Sequence, residues 1–241
     1  MGVIGWSLRV DDQFVMSGGR AGSAGGWDDP AMTHHARAER LALCTTFLRV
    51  GPDAPTLCEG WATKDLAAHL VIREGRPDAQ LAQLVPAFAG HAKAVQDRQS
   101  AVSYERLVET VRTGPPAWHP TRLAPVDELV NTAEFFVHHE DVLRAEPSWT
   151  ARPLADDLHR ALWRAASVVG RLALRKAPVG VELVAPGYGR TMVRKGDPVV
   201  RVEGSPGELL LYAFGRRGVA QVHLDGPDAA VQQLRATPSA M

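Results

Sequence analysis

The sequence has few cysteines, no excess of charge and no long apolar run, and each of these absences excludes a class of protein. Cys44 and Cys58 are the only cysteines, too few for a disulfide framework. The 27 Lys and Arg residues balance 27 Asp and Glu residues, so no overall field favours nucleic acid or a membrane surface. Neither a charged-then-apolar leader nor an apolar stretch of about 18 residues occurs. We therefore expect a cytoplasmic protein that binds a small molecule, either neutral or a compact anion.

Residue patterns divide the chain into a tail and two domains. Residues 1–31 include "SGGRAGSAGG" and have the composition of a flexible tail, and Met32 is expected to be the natural start because it precedes the capping residue Thr33. From Thr33 to about Lys176 the apolar spacing is helical and predicts a bundle over residues 32–177. The expected helices run from His34 to Arg49, from a Thr63 cap onward, from Ala79 onward, from Ser103 to Arg112, through "NTAEFFVHHEDVLRA", and after Pro153.

The pattern changes after Ala177. Short β-branched segments bounded by Gly and Pro predict strands in "VELVA", "TMVRK", "PVVRVEG" and "AQVHLDG". Longer segments predict helices in "PGELLLYAFG" and "PDAAVQQLRA". The fold class is therefore α+β, with a small α+β domain over residues 178–241 following the helical bundle.

The stretch "NTAEFFVHHEDVLRA" places chemistry within an apolar helix. Glu134 and His138 lie four residues apart and share one face, which the neighbouring apolar residues turn inward, while His139 is rotated off that face. Asp141 is placed either to bond the second ring nitrogen of His138 or to face solvent. A buried Glu and His need compensation, which metal ligation supplies and a satisfied ion pair also supplies.

A second stretch, "CEGWATKDLAAHL", places His69 on an otherwise apolar helix face. Two His and one Glu from two bundle helices match a catalytic zinc site with three protein ligands and one open position. Arg73 and Arg76 follow on the face of His69, where they would bind the carboxylate of a cofactor or substrate, or else form salt bridges at a solvated edge.

These motifs carry a resemblance to a known family. "CEGWATKDLAAHL", "EFFVHHEDVLRA" and the later "GELLLYAFGRRG" are similar to the mycothiol-dependent maleylpyruvate isomerase family, within the DinB-like metalloprotein superfamily, and the resemblance covers Thr33 to the C-terminus. It implies a DinB-like four-helix bundle and a C-terminal domain of sterol-carrier type. It also implies that His69, Glu134 and His138 bind zinc or another divalent metal, and that Arg216 or Arg217 is functionally important.

The resemblance implies mycothiol, a low-molecular-weight thiol, as cosubstrate. A metal-bound thiolate would then add to a small electrophile, giving an isomerase or an S-transferase. The alternatives are a non-catalytic protein that binds metal or an apolar ligand, and a metal-dependent hydrolase. Cys58, beside a helix start, is a candidate reactive thiol. The sequence leaves open whether the protein is a monomer or a homodimer.

Arg216 and Arg217 follow the apolar run "ELLLYAF" and precede Gly218. The chain is expected to turn there and to expose both guanidinium groups at the end of a helix, a common position for functional residues. We therefore expect this pair to lean toward the metal pocket of the bundle, where a bidentate donor would stabilise charge on a keto acid. The alternative is a pair of solvated arginines on a loop.

Overall fold

The computed structural model describes residues 35–75, 98–99, 101–114 and 125–237, with side chains for all of these except 125–128. The predicted tail, the proposed start at Met32, the helix from Ala79 and Arg76 lie outside the described residues.

The α+β class predicted from the sequence is confirmed. The chain forms helices first and then a small sheet with two further helices. The described helices are α1 His35–Val50, α2 Thr63–Gly75, α3 Tyr104–Thr113, α4 Pro125–Leu143, α5 Asp156–Ala173, α6 Pro206–Ala213 and α7 Asp228–Ala236. The strands are β1 Gly180–Ala185, β2 Gly189–Arg194, β3 Val199–Glu203 and β4 His223–Asp225, the last shorter than the predicted "AQVHLDG".

One hydrophobic core joins α1, α2, α3 and α4. Leucine, phenylalanine and valine side chains from the four helices meet in it with almost no exposed surface, and each fully buried Leu or Phe contributes about 1.5–3 kcal/mol. The main members are Leu43, Phe47, Leu66, Leu70, Leu107, Val111 and Phe135. Both candidate ligand helices, α2 and α4, contribute residues to this core.

The start of α2 differs from the prediction that Thr63 caps it. Thr63 is already helical, and its hydroxyl donates to the carbonyl of Gly51. The N–H of Ala62 instead donates to the carboxylate of Asp65 at 3.1 Å. Asp65, at the third helical position, therefore accepts a backbone N–H at the start of the helix.

The four strands form one sheet in the order β2-β1-β3-β4. β1 pairs antiparallel with β2 and parallel with β3, and β3 pairs antiparallel with β4. Alternate residues of the central strands, such as Leu183 and Val202, are fully buried on one face. That face packs in the same core as α5 and α6.

The second core crosses the predicted domain boundary. Leu162 and Val169 of α5 share it with Leu183 of β1 and Leu210 of α6. Gly207 of α6 approaches α4 closely, because a Cβ there would lie 2.8 Å from the Cζ atom of Phe136. The division of the chain at Ala177 stays a prediction, since the described packing is continuous across it. None of the described helices has the length and apolar character needed to cross a membrane.

Candidate metal centre

His69, Glu134 and His138 come together between α2 and α4. One nitrogen of each imidazole and one carboxylate oxygen all lie within 4.8 Å of one another. The Nε2 atom of His138 is 3.3 Å from Oε2 of Glu134, and the two imidazole ring centres are 5.5 Å apart. Helical spacing in α4 places Glu134 and His138 on one face, and the ring of His69 from α2 faces His138.

The protonation states of His69 and Glu134 suit a cation. Burial and the neighbouring His138 lower the pKa of His69 to about 3, so this ring is neutral at physiological pH. Burial raises the pKa of Glu134, but Arg73, His138 and His69 together lower it to about 2, which keeps the carboxylate ionised. A neutral imidazole and an ionised carboxylate are the forms that bind metals.

Asp141 fixes the orientation of His138. Its Oδ2 atom lies 3.0 Å from Nδ1 of His138, and the carboxylate is fully buried. Although burial alone would lower the pKa of His138, bonds to Asp141, Cys58 and Glu134 raise it well above its ordinary value. Asp141 holds the proton on Nδ1, and Nε2 is directed at Glu134. A metal would replace the proton that the raised pKa keeps on Nε2.

Arg216 forms a bidentate ion pair with Asp141. Its Nε atom donates to Oδ1 of Asp141 at 2.8 Å, and a terminal nitrogen donates to Oδ2 at 2.6 Å. Burial raises the pKa of Asp141, but His138 and Arg216 outweigh it and hold this pKa far below its ordinary value. A residue that follows α6 therefore reaches the carboxylate that holds a candidate ligand of α4.

Cys58, His138 and Asp141 form a second group with metal-ligand spacing. The thiol of Cys58 donates to Oδ2 of Asp141 at 3.3 Å, and a terminal nitrogen of Arg216 lies 3.6 Å from the sulfur. The guanidinium cation therefore already contacts two of the three members of this group, Cys58 and Asp141. The group of His69, Glu134 and His138 is the better candidate for a metal.

Arg73 lies beside Glu134. Its Nε atom is 3.5 Å from Oε2 of Glu134, and a terminal nitrogen donates to the side chain of Asn131 at 2.7 Å. This ion pair corresponds to one of the two alternatives for Arg73, and its binding of a substrate or cofactor carboxylate stays a prediction. Arg76, for which the same role is predicted, lies outside the described residues.

The expectation that Arg216 and Arg217 both lean toward the metal pocket is wrong for Arg217. The Arg217 guanidinium donates to the backbone carbonyl of Thr237 at 2.5 Å and lies over the ring of Tyr212, 5.1 Å from its centre. Successive residues in the turn after α6 point in different directions, so only Arg216 reaches Asp141.

A buried polar network that the sequence did not predict lies against the opposite side of α4. His139 is 2.9 Å from the hydroxyl of Thr46 and 3.5 Å from a carboxylate oxygen of Glu39. Arg152 donates to Glu39 at 2.6 Å and also, at 2.6 Å, to Glu140. The adjacent histidines of "HHED" therefore contact different residues: His138 contacts Glu134 and Asp141, and His139 contacts Thr46 and Glu39. A charged residue such as Glu39 within an apolar helix stripe is the sequence signal that indicates a buried partner.

The residues of the first group fit a divalent metal. Two ligands of a tetrahedral zinc ion at about 2.0–2.1 Å lie roughly 3.3–3.5 Å apart, which matches the 3.3 Å between His138 and Glu134. Two imidazoles and one carboxylate are a zinc-binding set with room for a fourth ligand. Among the described residues of this group, His69 keeps a partly exposed surface, whereas Glu134 and His138 are buried.

Two solved structures share this fold. A crystal structure of mycothiol-dependent maleylpyruvate isomerase aligns with a TM-score of 0.53 and 16% sequence identity, over 81% of this chain and 92% of that chain. A mutant of mycothiol-dependent maleylpyruvate isomerase aligns with a TM-score of 0.55 and 15% identity over the same shares. No protein-family model and no curated protein matches the chain. The resemblance seen in the sequence motifs is therefore supported at the level of the fold.

Proposed function

We propose that the protein is a metal-dependent enzyme that uses the thiol mycothiol to isomerise or conjugate a small electrophile. The observation that carries the proposal is the convergence of His69, Glu134 and His138 within 4.8 Å, with donor types and spacing that suit zinc or another divalent metal. The fold shared with mycothiol-dependent maleylpyruvate isomerase favours the thiol and the isomerase chemistry.

Each residue of the site has a distinct task in this proposal. His69, Glu134 and His138 would hold the metal, and Asp141 keeps the imidazole of His138 in its ligating orientation. When bound, the divalent cation would supply the charge that keeps a thiol deprotonated near neutral pH. Neither protein cysteine is required as the nucleophile.

Local charge favours an anionic electrophile. The carboxylates of Glu134 and Asp141 are balanced by the guanidinium groups of Arg73 and Arg216. A divalent cation would leave this site with an excess of positive charge, which attracts a thiolate and a substrate that bears a carboxylate. Addition of a thiolate to a conjugated keto acid develops negative charge on the substrate, and Arg216 is a fixed cation that would stabilise it.

Metal analysis combined with a thiol-dependent assay tests the proposal. The purified protein should retain about one divalent metal per chain and, with mycothiol, should either isomerise a conjugated cis keto acid such as maleylpyruvate or form a chromogenic thiol conjugate. His69→Ala should lose both metal and activity, whereas His223→Ala, on the exposed β4, should keep both.

The same assay separates the alternatives. Turnover of an ester or amide that needs the metal but not the thiol would indicate the hydrolase. A metal-loaded protein that is inert toward a broad electrophile panel with mycothiol would indicate a non-catalytic binding protein. A protein that takes up no metal would contradict the proposal in all of its forms.

A further inference from the structure

Arg216 lies in a tight turn whose conformation fixes its position. α6 ends at Ala213, and Gly215 adopts a φ of 84°, a left-handed conformation that favours glycine. The backbone carbonyl of Arg216 accepts hydrogen bonds from the N–H groups of Val219 at 3.1 Å and Ala220 at 2.9 Å. The position of Val219 is therefore coupled directly to the backbone of Arg216.

Arg144, the residue that follows α4, holds this turn. One terminal nitrogen donates to the backbone carbonyl of Val219 at 2.9 Å. The two terminal nitrogens of the same guanidinium form a bidentate ion pair with the carboxylate oxygens of Glu208, at 2.9 and 2.6 Å. Its Nε atom donates to Glu140 at 2.7 Å. Arg144 is only 5% exposed, so this pairing lies out of solvent.

Glu208 extends the contact to the far end of the turn. Its Oε2 atom accepts the backbone N–H of Gln221 at 2.7 Å. Arg144 and Glu208 thus hold the chain at Val219 and at Gln221, while α6 holds its beginning. We call the Arg144–Glu208 pair with its bonds to Val219 and Gln221 the turn clamp.

We propose that Arg144 is a positioning residue for Arg216, acting through the turn clamp. Asp141 and Arg144 lie three residues apart at the end of α4, so this helix end both receives the Arg216 guanidinium and holds the backbone that presents it. The catalytic meaning of the inference rests on the proposed function, because it assigns Arg144 the task of delivering a cation to that site. The hold of Arg144 on the turn that carries Arg216 follows from the hydrogen bonds and does not depend on the proposed function.

The alternative is that the Arg144–Glu208 pair only stabilises the fold. Removing one partner of a buried ion pair costs about 3–5 kcal/mol, so lost activity in an Arg144 variant would not separate the two roles. A direct signal from the Arg216 side chain does separate them. Its Nε–H is bonded to Asp141, and hydrogen exchange at that site reports whether the bond persists.

The experiment measures solvent exchange of arginine Nε–H groups by NMR in protein labelled with ¹⁵N-arginine, without substrate. The Arg216 signal is assigned by its loss in Arg216→Lys. In Arg144→Met and in Glu208→Gln, exchange at Arg216 should become about tenfold faster or more, because the turn opens locally. The Nε–H of Arg152, which donates to Glu140 and lies outside the turn, should stay protected in Glu208→Gln.

Arg201→Met is the matched control, because Arg201 is an exposed arginine on β3 that pairs with Glu182 and Asp225. This variant should leave exchange at Arg216 unchanged. Unchanged exchange at Arg216 in Glu208→Gln would overturn the proposal, as would equal loss of protection at Arg216 and Arg152. If Arg144→Met does not fold, hydrogen exchange at Arg216 in Glu208→Gln tests the proposal by itself.

A second readout connects the clamp to catalysis. Arg144→Met should lower turnover by no more than Arg216→Ala does, and the double variant should lose little more than Arg216→Ala alone, because Arg144 acts only through the Arg216 guanidinium. Additive losses would contradict the positioning role. Since the exchange measurement needs no substrate, a protein without thiol-dependent activity would refute the proposed function and leave the test of the turn clamp intact.

Discussion

Asp141 holds the imidazole of His138, with 3.0 Å between Oδ2 and Nδ1. The same buried carboxylate accepts two hydrogen bonds from Arg216, so one side chain links a candidate metal ligand to the turn after α6. A hydrogen-bonded carboxylate behind a ligating histidine orients the ring and increases its basicity. Asp141 is therefore expected to influence metal affinity without contacting the metal.

Asp141→Asn tests this influence. The variant keeps a hydrogen-bond acceptor for His138 but loses the negative charge, so metal affinity should fall by about 10- to 100-fold. A competition titration against a chromophoric chelator measures the change. Asp225→Asn, at an exposed carboxylate on β4, should have no effect. Wild-type affinity in Asp141→Asn would show that this contact does not tune the site.

The adjacent histidines should respond differently to truncation. His138→Ala removes a proposed ligand and should abolish metal retention after dialysis. His139→Ala should retain metal, because this ring contacts Thr46 and Glu39 on the other side of α4. It should instead lower the free energy of unfolding by about 1–3 kcal/mol, since it leaves buried polar groups without a partner. Equal metal loss in both variants would contradict the assignment of faces.

Arg216 and Arg217 provide a matched pair of neighbours. Arg216→Ala should leave metal content within the range of the wild type and lower turnover by about tenfold to a hundredfold, the scale of one lost electrostatic contact. Arg217→Ala should keep turnover near wild type, because its guanidinium contacts the C-terminal end of α7. Steady-state kinetics with mycothiol measure the turnover of both variants. The reverse ranking would contradict the structural assignment.

Glu39 should make stability depend on pH. Burial raises its pKa, but bonds from His139 and Arg152 outweigh burial and place the pKa below its ordinary value of 4.5. A carboxyl whose pKa is lowered by folding adds stability above its unfolded pKa and loses that contribution as pH falls through the folded pKa. Glu39→Gln should therefore be less stable than wild type at neutral pH, by about 3–5 kcal/mol.

This difference should shrink as the pH falls below the ordinary carboxyl range, because wild-type Glu39 then becomes neutral as well. Urea denaturation at a series of pH values measures it. Glu105→Gln, at an exposed position in the first turn of α3, serves as the control and should track wild type throughout. A difference between Glu39→Gln and wild type that is the same at every pH would rule out the proposed ionisation.

Much of the fold could be predicted from local patterns. The helical spacing around His138 predicted that Glu134 shares its face and that His139 does not, because this depends only on the geometry of one helix. Segments rich in β-branched residues marked the strands. The parallel pairing of β1 with β3 could not be predicted, since it depends on contacts between segments distant in sequence.

The partners of the charged residues were harder to predict. The sequence allows two alternatives for Asp141, and the structure shows it buried against His138 and Arg216. Arg216 could not be chosen over Arg217, because the direction of each side chain depends on the turn that follows α6. The sequence patterns do not predict the Arg144–Glu208 pair. Glu208 lies within the apolar run "GELLLYAF", and a lone charge in such a run indicates a buried partner without naming it.

The coordination of a bound metal is the most direct test of ligation by His69, Glu134 and His138. X-ray absorption on zinc-loaded protein, in the absence of mycothiol, distinguishes nitrogen and oxygen ligands from sulfur. The proposed site should give about one zinc per chain with two imidazole nitrogens, one carboxylate oxygen and no sulfur, and His69→Ala should lose this spectrum. A sulfur ligand at about 2.3 Å that disappears in Cys58→Ser would place the metal in the group of Cys58, His138 and Asp141, and would contradict ligation by His69 and Glu134.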